Sequence, residues 1–169
     1  MSVYVTSDLH LGHTGILGFR KGSFINLNDH DMKIIDAWNG VISKRDTVYV
    51  LGDFIWNIES LKYIPMLQGQ INWVLGNHDP KIKPDTLADL NINFCAGIWP
   101  YKHGAVFSHV PIHPQELSYR WEYNIHGHIH HRERCIDDPR YYNANADVQG
   151  IVPIPFDYIM DVLRRRNDV

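Results

Sequence analysis

Three short apolar runs, 3–7 (VYVTS), 47–51 (TVYVL) and 71–75 (INWVL), each end at a cluster of polar residues. Such runs fit strands buried on both faces, as in a parallel sheet covered by helices. The stretches between them have a different period. In Asn28–Ser43, Ile34, Ile35, Trp38, Val41 and Ile42 fall on one helical face. Asn28 with Asp31 three residues later is the expected helix start. Ile58–Leu67 reads as a second helix and Asp85–Leu90 as a short third. The order βαβαβ predicts parallel strands joined by helical crossovers, hence an α/β fold.

Beyond residue 92 the pattern changes. Asn93–Trp99 and Ala105–Ser108 read as strands with His103 and Gly104 as the turn between them. Tyr123–His126 and Tyr141–Ala146 read as two more, and Pro155 opens a last helix to about Arg166. This half is expected to be mostly hairpins, so the sheets are mixed. No repeat, linker or low-complexity stretch interrupts the chain, and 169 residues argue for one domain over 1–169. A chain of this length buries roughly 70% of its unfolded surface and needs no staples.

Net charge is −3, which gives no support for broad binding to nucleic acid or membranes. No apolar run approaches the length of a membrane span, and the start MSVYVTSDLH does not read as a signal peptide. Cys95 and Cys135 have no metal-type spacing and suggest no disulfide framework. A reducing, cytoplasmic setting is the expectation. Histidine is the compositional outlier, with 11 residues against 16 Lys plus Arg. Histidine is the commonest metal ligand.

The polar clusters carry the chemistry. Asp8 and His10 follow the first strand as DLH. Asp53 follows the second as GD, and Asn77, His78 and Asp79 follow the third as GNHD. His109 follows Ala105–Ser108, and His128 and His130 stand in HGHIH. Residues at i and i+2 of an extended chain point to the same side, so DLH and HIH can each aim two donors at one point. In open α/β sheets, ligands collect beyond the carboxyl ends of the strands. Taken singly, each cluster is a turn or a satisfied histidine. Together they predict a metal site of imidazole, carboxylate and amide donors without thiolate, suited to Mn, Fe, Zn, Ni or Co. Seven donors are too many for one tetrahedral ion. Two ions sharing Asp53 would use them all.

DLH at 8–10, GD at 52–53, GNHD at 76–79, His109 and GHIH at 127–130 together resemble the calcineurin-like metallophosphoesterases, over residues 1 to about 160. The resemblance implies a four-layer α/β/β/α sandwich with two metals at the sheet edge. It implies one ion on Asp8, His10, Asp53 and His130, and another on Asp53, Asn77, His109 and His128. His78 would be the catalytic histidine, with Asp79 beside it as an orienting group. Phe54-Ile55-Trp56-Asn57 after GD is unlike the Asp-Arg-Gly of protein Ser/Thr phosphatases. GNHD has His where lipid-precursor pyrophosphatases of the family carry Arg, and the chain is short for a nuclease capping domain. The opening DLHLGH, Phe19-Arg20-Lys21 and Trp38-Asn39 are similar to small uncapped bacterial and phage phosphoesterases.

The expected activity is phosphate-ester hydrolysis, diesters before monoesters, with two divalent ions, manganese foremost. Two cations about 3.5–4 Å apart neutralise the ester and lower the pKa of a bridging water from about 15.7 to roughly 7, so that hydroxide attacks. His78 then assists the leaving oxygen. The alternative is a scaffold of the same fold with an impaired site, against which the presence of His78 argues. The expected partner is a small phosphorylated substrate, with nucleotides among the candidates. His13, Arg20, Lys21 and His113 are candidates to contact it, Arg20 and Lys21 equally readable as a solvated loop. Trp56 and Trp121 read as packing, His126 as pointing away from the metals, and His30, His103 and His131 as surface residues.

Overall fold

The computed structural model describes residues 1–131 and 136–168. Cys135 therefore lies outside the described residues. Cys95 is a free thiol beside the carbonyl of Ile98. The first half follows the expected order. β1 (Val3–Thr6), β2 (Thr47–Leu51), β3 (Gln70–Val74) and β4 (Asn93–Cys95) form a parallel array in the order β4-β3-β2-β1. β9 (Ile154–Pro155) pairs antiparallel with β1 at its edge.

The second sheet runs β5 (Ile98–Pro100), β6 (Ala105–Ser108), β7 (Tyr123–His126) and β8 (Tyr141–Asn143). Here the hairpin expectation is corrected. Only β5 and β6 pair antiparallel, around a turn in which His103 and Gly104 both have positive φ. β6-β7 and β7-β8 are parallel, joined by connections through 109–122 and 127–140. The expected strand Asn93–Trp99 is two strands in different sheets, broken around Gly97, which a periodicity of two cannot separate.

Strand alternation sets the layers. Val48, Val50, Ile71 and Trp73 face one way and pack with α2 (Leu27–Asn39), which follows the single turn α1 (Ile16–Phe19), through Ile34, Ile35 and Trp38. Val5, Tyr49, Leu51 and Val74 face the other way, toward Phe107, Ile125 and Tyr142 of the second sheet and Ile159 and Leu163 of the last helix (Phe156–Asn167). The architecture is thus an α/β sandwich of two mixed sheets flanked by helices. The N-cap of α2 is Asn26, accepting from Asp29 N at 2.9 Å, not Asn28. Ile58–Met66 is a 3₁₀ rather than an α-helix and contains Pro65, which lacks the N–H an α-helix interior needs. Among the described residues no helix is long and apolar enough to cross a membrane.

Both sheets end at the same place. The Ser7 hydroxyl donates to Leu51 O at 2.6 Å, and the Ala146 amide donates to Ser7 O at 3.0 Å. The loop after β2 is gripped from β3 by Asp79. Its carboxylate accepts from the amides of Asp53 (2.9 Å), Phe54 (2.8 Å), Ile55 (3.2 Å) and Gly76 (2.7 Å), and from the Trp73 indole (3.0 Å). These donors turn inward beyond the strand ends, where no ladder partner is present to receive them. Asp79→Ala is expected to strand these five donors and lower stability by about 3–5 kcal/mol, read from urea unfolding. A loss under about 1 kcal/mol would show that the clip does not hold the strand ends together.

Candidate functional site

The side chains beyond the strand ends form two groups around Asp53. In the first, the ligand-type atoms of Asp8, His10, Asp53 and His130 all lie within 4.8 Å of one another. His130 Nε2 is 3.4 Å from Asp8 Oδ1, and His10 Nε2 is 3.8 Å from Asp53 Oδ2. In the second, Asn77 Oδ1 lies 2.9 Å from His109 Nε2 and 3.1 Å from His128 Nδ1, and the two nitrogens are 3.2 Å apart. His109 Nε2 is 3.5 Å from the same Asp53 Oδ2. All seven expected donors therefore meet in one place, with Asp53 between the two groups.

The backbone there is unusual. Asp8 (φ 58°), His10 (φ 53°), Asp53 (φ 49°) and His128 (φ 68°) all occupy the left-handed region. Each costs about 1–2 kcal/mol. The expected reason for Asp8 and His10 sharing a side, an extended chain, is therefore corrected. Both side chains reach the site because each residue is left-handed, while Leu9 between them is fully buried in the core. Hydrogen bonds between the segments after β1 and β2 fix these conformations. Asp8 N donates to Gly52 O (3.0 Å) and His10 N to Asp53 O (2.9 Å). The His128 amide lies 3.0 Å from Asp8 Oδ2.

Two motif glycines are required by close approach. A Cβ on Gly127 would land on the Ser7 hydroxyl and the Asp8 carboxylate, and one on Gly76 would land on Asp53. Each lets a loop lie directly against a candidate ligand.

The donor set fits divalent cations. His109 Nδ1 is 2.9 Å from Leu51 O, which can only accept, so the proton sits on Nδ1 and the Nε2 lone pair faces Asn77 Oδ1. His10 Nε2 is buried without a hydrogen-bond partner. Burial holds His10 neutral, pushing it down to about 3. Burial also opposes charge on His130, but hydrogen bonds to Asp147 and Asp8 prevail and lift it to about 9. The lone pairs of His10 and His109 and the carboxylate oxygens of Asp8 and Asp53 thus converge in a mixed N/O set of the kind first-row divalent metals occupy, and a cation bound there would displace the His130 proton that faces Asp8.

His78 is exposed, its ring 6.0 Å from that of His10 and 5.3 Å from Trp56. Its amide donates to Asp53 Oδ1 at 2.9 Å. His13 stacks flat on Trp56, centroids 3.6 Å apart, so Trp56 packs at the rim of the site and not in the core. A pocket of about 410 Å³ opens here, lined among others by His10, His13, His78, His128 and His130, with the exposed Phe19 at its edge. Asp79, expected beside His78, has its carboxylate on the backbone amides and Trp73 described above.

Three further expectations are corrected. Arg20 is not a loop cation facing substrate. It is buried, with its guanidinium 2.5 Å from Asp147, 2.6 Å from His30 Nε2, and donating to Asp8 O at 2.8 Å. His30 is fully buried between Arg20 and Asp31, not on the surface. His113 is exposed and caps a short 3₁₀ turn, Pro114–Ser118, outside the pocket lining. Lys21 is exposed in a neighbouring hollow. His126 faces a separate cavity lined by Tyr141 and Asn143. Asp147 was missed: its Oδ2 lies 2.5 Å from His130 Nδ1. Its signal was available, since Asn145-Ala146-Asp147 is one more polar cluster after an apolar run. Reading the strand through Ala146 concealed it.

The calcineurin-like phosphoesterase family model matches residues 1–157. An uncharacterized protein of Methanocaldococcus jannaschii is 26% identical over 96% of this chain and 92% of its own length. The gene 66 protein of Mycobacterium phage D29 is 24% identical over 99% and 97%. That of phage L5 is 35% identical, over 46% of this chain and 40% of its own. The crystal structure of a protein of unknown function from Aquifex aeolicus superposes with a TM-score of 0.76 at 26% identity, covering 95% of this chain and 98% of that one. The family model spans nearly the whole sequence and all seven candidate donors, and the chain belongs to the calcineurin-like phosphoesterase family.

Proposed function

We propose that this protein is a metal-dependent phosphoesterase with a two-cation centre, acting on phosphodiesters in preference to monoesters. The observation that carries the reading is the position of Asp53. One of its oxygens is 3.8 Å from His10 Nε2 and 3.5 Å from His109 Nε2, so a single carboxylate faces both donor groups. Asp8, His10, Asp53 and His130 would hold one cation, and Asp53, Asn77, His109 and His128 the other. Bound there, such ions, manganese foremost, neutralise an anionic ester and acidify a coordinated water.

The chain's own residues supply the rest. His78 belongs to neither donor group and is exposed at the pocket, where its imidazole can give a proton to the leaving oxygen. Its amide bond to Asp53 ties its position to the shared carboxylate. His13, fixed in orientation by stacking on Trp56, presents a second imidazole to the same pocket. The preference for diesters is supported by the pocket's exposed rim at Phe19 and His131, which leaves room for a second ester substituent. A scaffold with an impaired site is supported less, because every expected donor and the extra imidazole are present.

The test is turnover of bis-p-nitrophenyl phosphate against p-nitrophenyl phosphate after metal stripping, with Mn, Ni, Co or Zn added back. The diester is expected to turn over faster. His78→Ala is expected to lower kcat by roughly 10²–10⁴-fold with metal content unchanged. Wild-type turnover in that variant would remove His78 from the chemistry. Asp53→Asn is expected to lose both ions by elemental analysis; two ions retained would contradict the shared role of this carboxylate.

A further inference from the structure

We propose that Asp147 and Arg20 form a positioning clamp that assembles the Asp8–His10–Asp53–His130 group and sets cation affinity there without setting it in the neighbouring group. The inference rests on the two-cation reading above and adds an asymmetry between its halves.

Asp147 holds two partners at once. Oδ2 lies 2.5 Å from His130 Nδ1 and Oδ1 lies 2.5 Å from Arg20 Nε. A carboxylate accepts, so His130 carries a proton on Nδ1, and this bond turns Nε2 toward Asp8, where a cation would take the place of any proton on it. Arg20 continues the link into the first sheet. Nη2 donates to Asp8 O at 2.8 Å and Nη1 lies 3.3 Å from Leu9 O. These carbonyls belong to the loop where Asp8 and His10 are left-handed, so the guanidinium satisfies oxygens that the strand ladder cannot. One ion pair therefore joins the loop bearing Asp8 and His10 to the loop bearing His130.

The clamp is itself held. Arg20 Nη1 lies 2.6 Å from His30 Nε2, and His30 Nδ1 lies 2.7 Å from Asp31 Oδ1. Asp31 accepts from the Gly12 amide at 3.1 Å. Side-chain packing around this chain excludes water: His30 and Asp31 are fully buried and Arg20 nearly so. Removing one member leaves a buried charge without its partner. The other donor group is oriented differently. His109 is fixed by Leu51 O, and the hydrogen bonds of Asp147 and Arg20 do not extend to Asn77, His109 or His128.

The test is calorimetric titration of Mn²⁺ into the metal-free protein, with ion content checked by elemental analysis after dialysis. Wild type is expected to bind two ions. Asp147→Ala is expected to keep one at wild-type affinity and weaken the other by roughly 10–100-fold. Asp147→Asn retains an acceptor for His130 Nδ1 and is expected to recover part of that loss; it carries the test should the alanine variant not fold. Asn77→Ala is expected to weaken the opposite site. Two ions at wild-type affinity in both Asp147 variants would overturn the clamp, and equal weakening of both sites would overturn its selectivity. Wild type binding no ion would overturn the two-cation reading and this inference together.

Discussion

Four residues at the strand ends hold left-handed backbone conformations that side chains disfavour, and the rest of the site depends on keeping them there. Asp8, His10, Asp53 and His128 together store several kcal/mol at roughly 1–2 each. No single contact offsets that. Parallel strands ending side by side do, because the segment after β1 and the segment after β2 bond to each other past the end of the ladder. His10 N reaches Asp53 O, Leu11 N reaches Phe54 O, and Trp56 N reaches Leu11 O. The strained turns are thus inserts within a continuing hydrogen-bonded pair, and the core beneath them is closed by Leu9, Leu11 and Phe54, all fully buried.

This arrangement explains why the polar clusters are rigid and not merely adjacent. A histidine on a free loop loses side-chain and backbone entropy when it binds an ion. Here that ordering is completed by folding. Asp79 holds the backbone under Asp53, and Leu51 O orients His109. The Gly127 and Gly76 contacts let the second-sheet loop and the β3 loop press against Asp8 and Asp53. Two sheets whose carboxyl ends converge therefore place donors from both around one carboxylate.

Much of this was legible in the sequence, for a definite reason. Buried parallel strands read as apolar runs, and a polar cluster at the end of each is anomalous enough to mark chemistry. β2, β6 and β7 fall on the expected residues, and all seven donors meet. What could not be read was partnership across the chain. Arg20 in FRKGS looks like a solvated loop because nothing local shows that Asp147 lies opposite, 127 residues away. His30 looks like a surface histidine on α2 for the same reason. Asn93–Trp99 reads as one strand because period two does not register a change of sheet. The parallel pairing of β6, β7 and β8 was hidden because the sequence between them carries no amphipathic helical pattern, the expected sign of a crossover.

The buried charges sharpen the distinction between the two donor groups. A buried guanidinium is costly to desolvate, and a hydrophobic replacement is often no less stable. Arg20 is nonetheless surrounded by Asp147, His30 and two carbonyls that each have a second duty toward the site or toward α2. Its value is therefore in geometry: five fixed donors on a planar fork can satisfy acceptors from three segments at once, which a lysine cannot. In the group bearing Asn77, His109 and His128, His109 is oriented instead by the Leu51 carbonyl, and the group lies nearer to solvent, with Asn77 and His128 exposed. One half of the site is thus organised by a buried ionic network and the other by the sheet itself, so the two halves should respond differently to the same loss of a side chain.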